Sequence, residues 1–228
     1  MRKSRVTGLV FLAAAALAQQ QQSVEITSEP SHHLVFQNEY VRVFDVTVAP
    51  KASTLIHRHN SDYVFVTLGD SDVVSARVGE KPVALHLKDG EVRYTPGNFA
   101  HAAINESDRP FHNITIELLK PSTNVKTCAD ACDSGVPSTI RRISADQWTV
   151  SLVSLPPNAT FDSQLVGPTL LVAVTNLKLS RQSFDARGHF ERRSGGFDWI
   201  PAGLKETISN NASASAQFVT LQFKAAQP

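Results

Sequence analysis

Cysteine is scarce in this chain: Cys128 and Cys132 are its only two, so at most one internal disulfide can form. Long apolar runs are missing too. The most apolar stretch, Val6 to Ala18, holds about thirteen residues against the roughly 20 that a membrane-crossing helix needs. Charge is balanced, with 22 Lys+Arg against 21 Asp+Glu, which argues against a nucleic-acid surface or a polybasic membrane patch. No long amphipathic helical pattern occurs either. At 228 residues the chain can hold one large domain or two small ones.

What the N-terminus does hold is Arg2, Lys3 and Arg5, then the apolar stretch, then Ala16-Leu17-Ala18 before a run of glutamines. A basic n-region, a short h-region and a small-x-small site predict a secretory signal peptide over residues 1–18. Its removal takes away three basic and no acidic groups, for a mature net charge of about −2 with His neutral. The expected location is periplasmic or secreted. An oxidising compartment would favour a local disulfide between Cys128 and Cys132, provided this stretch forms a helical turn or tight loop. The alternative is two free thiols in a linker.

Most of the remaining chain reads as short strands. Tyr40 to Val48 alternates around Val41, Val43, Asp45 and Thr47, and Tyr63 to Leu68 is β-branched and aromatic. Val83 to Leu87 and Phe111 to Leu118 alternate again. Clusters such as Ala49-Pro50-Lys51 and Lys88-Asp89-Gly90 separate the runs. Many short strands at close spacing predict an all-β sandwich or barrel. Residues 121–140, rich in Pro, Ser and Thr and holding both cysteines, read as a linker.

Beyond the linker the pattern restarts. Gln147 to Pro157 parallels Tyr40 to Pro50 in strand length and terminal proline. Gly195, Pro201, Gly203 and Asn210 recur at the spacings of Gly90, Pro96, Asn98 and Asn105, with Glu206 in the position of His101. The expectation is a duplication, residues 24–120 and 141–228, in which the second copy kept its turn residues and lost its ligands. Counting forward equally from Pro50 and Pro157 sets Gln164 opposite His57, Val166 opposite His59 and Thr169 opposite Asp62.

His57 and His59 are two apart and leave a strand on the same face. Asp62 shares its face with Val64, Val66 and Leu68, an apolar set expected to point inward, and His101 shares one with Ala103 and Asn105. A buried imidazole or carboxylate without a partner is costly, so such a cluster is either hydrogen-bonded or holds an ion. Imidazoles with one carboxylate suit Zn, Mn, Fe, Ni or Cu, and three or four protein ligands on a six-coordinate ion leave room for water or substrate. His112 lies on the face of Ile114, Ile116 and Leu118. His86 is expected to be exposed, and His32, His33 and His189, in loop-like contexts, are expected at the surface.

The stretch Gly90 to Asn105, Gly-Glu-Val-Arg-Tyr-Thr-Pro-Gly-Asn-Phe-Ala-His-Ala-Ala-Ile-Asn, resembles the second signature of the cupin barrels at every fixed position except Asn98. His57-Arg58-His59, then Asp62 with six residues between it and Gly69, resembles the first. Here the gap after the histidine pair is shorter and aspartate replaces glutamate. The resemblance covers Asn38 to Leu119.

It implies an all-β chain of two tandem cupin-type β-barrels (double-stranded β-helix, jelly-roll-like), the N-terminal one with a metal site and the C-terminal one degenerate. It makes His57, His59 and His101 ligands of one divalent transition metal (Fe, Mn, Zn or Ni). Asp62 takes the glutamate's place, either as a direct ligand or as an acceptor that orients a ligand histidine. The implied activity is dioxygenase-, isomerase- or decarboxylase-like chemistry on a small molecule. The alternatives are a non-catalytic metal or small-ligand binder and a structural protein. No second catalytic acid stands in a recognisable motif. Expected partners are a small-molecule ligand or substrate and a further copy of the chain, without nucleic acid, and without membrane once the signal is cleaved.

Overall fold

The computed structural model describes residues 23–133, 139–182 and 187–225; the side chains of residues 128–133, 139–142, 162–165, 187, 204 and 206 are outside that description. The expected signal peptide lies outside the described residues. In the first half, β1 (Val24–Glu25) and a 3-10 turn (Ile26–Ser28) lead into β2 (His32–Gln37), β3 (Val41–Val48), β4 (His57–His59) and β5 (Tyr63–Leu68). Then come β6 (Ser71–Arg77), β7 (Val83–Leu87), β8 (Val92–Thr95), β9 (Phe99–Asn105) and β10 (Phe111–Leu118). The second half opens with β11 (Lys126–Asp133), β12 (Thr139–Ser144), β13 (Trp148–Leu155), β14 (Thr160–Leu165) and β15 (Thr169–Ala173). It closes with β16 (Leu177–Gln182), β17 (Arg187–Arg192), β18 (Phe197–Ile200), β19 (Leu204–Asn210) and β20 (Ala216–Phe223). The all-β expectation is met. The segment read as a linker supplies β11, which pairs antiparallel with β12; the side chains of Cys128 and Cys132 are outside the described residues.

Four sheets result. The first has the order β1-β4-β9-β6-β7 and the second β2-β3-β10-β5-β8; the third is β11-β12-β13-β20-β15-β18 and the fourth β14-β19-β16-β17. The second half repeats the order of the first: β14, β19, β16 and β17 stand where β4, β9, β6 and β7 stand, and the third sheet matches the second apart from the added β11.

The repeated turn residues do the same work twice. Asn105 Nδ2 donates to the carbonyls of Val48, Ala49 and Arg109, and Asn210 Nδ2 donates to those of Leu155, Pro156 and Ala214. Each side-chain oxygen accepts the backbone N–H two residues on, from Ser107 and Ala212. One buried amide thus closes its own turn and ties it to the end of a distant strand in each half. Asn98, the one departure from the signature, sits at φ 64°, and its counterpart Gly203 at φ 83°. Asparagine is among the few residues besides glycine that take this left-handed conformation readily, so the substitution keeps the turn.

One expected equivalence is corrected. His57 pairs with His101 across β4 and β9, and Ser163, not Gln164, pairs with Glu206 across β14 and β19. His57 lies seven residues after Pro50 and Ser163 six after Pro157, so the path is one residue shorter in the second half, which equal counting from the prolines missed.

The sheets stack in the order first, second, third, fourth. Between the second and third lies a core of 17 buried apolar residues, among them Val43, Val66 and Ile116 from one half and Val150, Leu170 and Leu221 from the other. Between the third and fourth lies a separate core built on Leu171, Leu179, Ile208 and Phe218. Between the first and second, a smaller cluster around Phe44, Val46, Val73 and Phe111 leaves space for a cavity.

Candidate metal centre

The alternation of His57-Arg58-His59 on β4 turns both histidines inward and leaves Arg58 in solvent. His101 on β9 lies directly opposite His57. His57 and His59 are 0% and 1% exposed, and His101 is 8% exposed. The Nε2 atom of His59 lies 3.2 Å from that of His57 and 3.3 Å from that of His101. The structure therefore brings together three of the four residues expected at the site.

A fourth histidine joins them. His32, expected at the surface, is buried at the start of β2, with its ring centroid 4.5 Å from that of His57. One ligand atom each from His32, His57 and His59 lie within 4.8 Å of one another. Sequence reading missed it because Pro30 and Ser31 made the segment look like a loop. The signal was present in Leu34-Val35-Phe36, a strand run that carries His32 at its start, and in Glu29 three residues before it. Glu29 is buried beneath His32 and accepts a hydrogen bond from His32 Nδ1 at 2.6 Å. It also accepts the N–H groups of Ser31 and Leu55. Burial alone would raise the Glu29 carboxyl, but the hydrogen bond and charge of His32 and the two N–H donors bring it below its ordinary value.

Asp62 is not brought to this group. Its two oxygens accept the Tyr94 hydroxyl at 2.6 Å and the Gly97 N–H at 2.8 Å. It contacts no ligand histidine among its hydrogen bonds, so neither role expected of it is filled. The reason is the face assignment. Val64, Val66 and Leu68 do point into a core, but it is the one shared with the third sheet, whereas Tyr63 and Phe65 on the opposite face of β5 line the cavity. Both faces of this strand are covered, and alternation alone does not say which one meets the histidines.

The donor set fits a cation. The carbonyl of Leu55 can only accept, so the 2.9 Å contact from His57 Nδ1 fixes the proton there and leaves Nε2 as a lone pair. Glu29 likewise takes the Nδ1 proton of His32. His101 Nδ1 contacts the Ser75 hydroxyl at 3.1 Å, and His59 Nδ1 is buried with no partner. Imidazole lone pairs 3.2 Å apart repel unless a proton or an ion lies between them. Two nitrogens held by one ion at about 2.1 Å are themselves about 3.0–3.4 Å apart, which is the spacing found. Burial, with the neighbouring His32, pushes the His57 imidazole down to about 4, and burial with His57, His32 and Arg77 pushes His101 down to about 3. His59 is driven lower still by burial and by the other histidines. All three are neutral near pH 7, the state a metal ligand needs.

Tyr63 stacks on His59 with centroids 4.1 Å apart and fixes that ring, and its hydroxyl is hydrogen-bonded to Thr95. The cavity beside the histidines is about 290 Å³. Of the other histidines, His86 is exposed and bound to Asp72, and His112 pairs with Asp45 at 2.8 Å on the far face of the second sheet. In the second half, Arg181 takes the register of Ser75 and pairs with Asp198 at 3.0 Å. A protein cation thus occupies the interior where the first half gathers imidazoles.

No protein-family model matches the chain, and no curated protein matches it. Solved structures do. AerE from Microcystis aeruginosa superposes with a TM-score of 0.61 at 12% identity, over 86% of this chain and 99% of its own. Oxalate decarboxylase from Bacillus subtilis superposes at 0.58 and 9% identity, over 81% of this chain and 68% of its own. A study of the Mn(II) centres of that enzyme gives 0.58 and 10% identity, over 84% and 71%. These are cupin-fold proteins, and this chain has the cupin fold.

Proposed function

We propose that this chain is an exported protein of two tandem cupin-type barrels, the first of which holds one divalent transition metal and acts on a small molecule bound beside it. His57, His59 and His101 hold the ion, with His32 as a further imidazole. The observation that carries this reading is the convergence of three Nε2 atoms at 3.2 and 3.3 Å, with the opposite nitrogen of His57 already committed to a carbonyl. The ion supplies Lewis acidity toward a ligand oxygen or, if redox-active, an electron. The chain's own groups orient and enclose: Glu29 sets His32, the Leu55 carbonyl sets His57, and Tyr63 covers His59. Burial keeps the Tyr63 hydroxyl protonated, so it is a donor available to a bound ligand. The Mn(II) centres of the oxalate decarboxylase and the clustered imidazoles support a divalent metal of the Mn, Fe, Zn or Ni group. Dioxygenase-, isomerase- and decarboxylase-like reactions all fit this arrangement.

A second reading, metal or ligand holding without turnover, is favoured by one observation. The only carboxylate among the described residues lining the cavity is Glu80, whose side chain is 58% exposed at the rim. Among the described residues, the buried Glu29 is committed to His32, Ser31 and Leu55 and no other buried carboxylate lines the cavity. The test is metal analysis of the mature protein, followed by oxygen consumption and product analysis over a substrate panel. We expect close to one ion per chain, and none in the His57→Ala/His59→Ala double variant. Equal metal content in the two proteins would overturn the site. Bound metal without turnover across the panel would favour the second reading. N-terminal sequencing of protein recovered from outside the cytoplasm is expected to begin at Gln19.

A further inference from the structure

We infer that the ligand of this cavity is a small monocarboxylate with an apolar body, its carboxylate held between the metal and Arg77. This rests on the metal reading above and adds the substrate class to it.

Charge points to an anion. Imidazole ligands bring no negative charge to an ion, and Asp62, which would have lowered the charge of the centre, is turned away. Among the described residues Glu29 is the one buried carboxylate touching the cluster, and its oxygens are taken by His32, Ser31 and Leu55. A divalent ion here keeps most of its charge, and Arg77 adds to it. Arg77 lies directly opposite His101 in the β6–β9 register. Its guanidinium is seated 4.1 Å from the centroid of Phe99, a ring itself 5.2 Å from His101 and 5.5 Å from His59. The nearest carboxylate is Glu80, a loose 3.9 Å from Nη1 and largely in solvent. Arg93, the other arginine at the cavity, is already paired with Glu91 at 2.7 Å. Arg77 therefore offers a fixed planar fork, suited to two oxygens of one carboxylate.

Shape points to the rest of the molecule. Away from the histidines the cavity is walled by Val46, Phe65, Val73, Leu85, Leu87 and Phe111. A ligand as small and polar as oxalate leaves these walls without contacts, and a second carboxylate pushed against them loses its hydration without a partner. An alkyl or aromatic body fills them.

The test is calorimetric binding to full-length mature protein loaded with Mn²⁺, with metal content measured beforehand. The probes are phenylacetate, 3-methylbutanoate, acetate, oxalate and phenylacetamide. Phenylacetate or 3-methylbutanoate is expected to bind at least about tenfold tighter than acetate and oxalate, because it buries an apolar body. Phenylacetate is also expected to exceed its neutral amide by about tenfold. Arg77→Gln is expected to lose that tenfold for the carboxylates, leave the amide unchanged and retain its metal, while Arg77→Lys keeps part of the preference. Equal affinity for acid and amide, or an unchanged Arg77→Gln variant with full metal and a normal circular dichroism melt, overturns the inference and leaves the metal reading standing. Failure to retain Mn²⁺ before any probe is added overturns the metal reading, and this inference with it.

Discussion

A metal-ligating histidine is commonly oriented by a partner on its second ring nitrogen, and His32 and His57 have such partners of different kinds. The carboxylate beneath His32 is the stronger partner, because it is charged and makes a 2.6 Å contact. Replacing Glu29 by Ala is expected to weaken metal affinity by about 10–100-fold, measured by competition with a chelator. Asp62→Asn is expected to leave metal content unchanged, since its carboxylate serves Tyr94 and Gly97. The metal-free protein carries a pH signature. Folded, His57 titrates near 4 and His101 near 3, and unfolded both return to 6.5. Between those values the unfolded chain binds more protons, so stability is present above about pH 6.5 and falls as pH drops toward 4. Thermal unfolding of chelator-treated protein is expected to be flat above that window and to decline within it, with a shallower decline in His57→Ala. Of these residues, His57, His59 and His101 were legible because spacing two on a strand and the second signature name them directly. Glu29 and His32 were not, because their approach to His57 depends on a chain entry that folds back over β4, a contact that no local pattern encodes.

Among elements, the turns repeat between the two halves more clearly than the strands do. Gly90 precedes β8 and Gly195 precedes β18, and each presses against the opposite half. A Cβ on Gly90 would lie 3.1 Å from Val174, and one on Gly195 would lie 3.1 Å from Leu68 and 3.3 Å from His112. Both residues hold positive φ, 71° and 82°. Gly195→Ala and Gly90→Ala are each expected to cost about 1–2 kcal/mol or more in stability by denaturant titration. Gly69→Ala, with the same backbone strain at φ 83° but nothing within 4 Å, is expected to cost less. Sequence spacing found this pair of glycines, since turn geometry is local. The offset of one residue between β4 and β14 escaped it, and so did the face of β5, because a loop length and a choice between two buried faces are settled only by packing.

At the scale of the whole molecule, the apolar layer between the second and third sheets is the largest of the cores, with eight residues from the first half and nine from the second. Neither half can shed the other without exposing it, so heat or denaturant is expected to unfold the described chain in one cooperative step, with calorimetric and van 't Hoff enthalpies in agreement. Ile116→Ala, at a fully buried position of that layer, is expected to cost about 2–5 kcal/mol and to shift the whole transition. The same layer has a consequence for how the protein behaves when scarce. Two separate chains joined by such a surface would come apart on dilution, with a midpoint set by their dissociation constant. Here the two surfaces are tethered, their encounter is intramolecular, and the histidine cluster keeps its supporting sheet at any concentration the protein reaches.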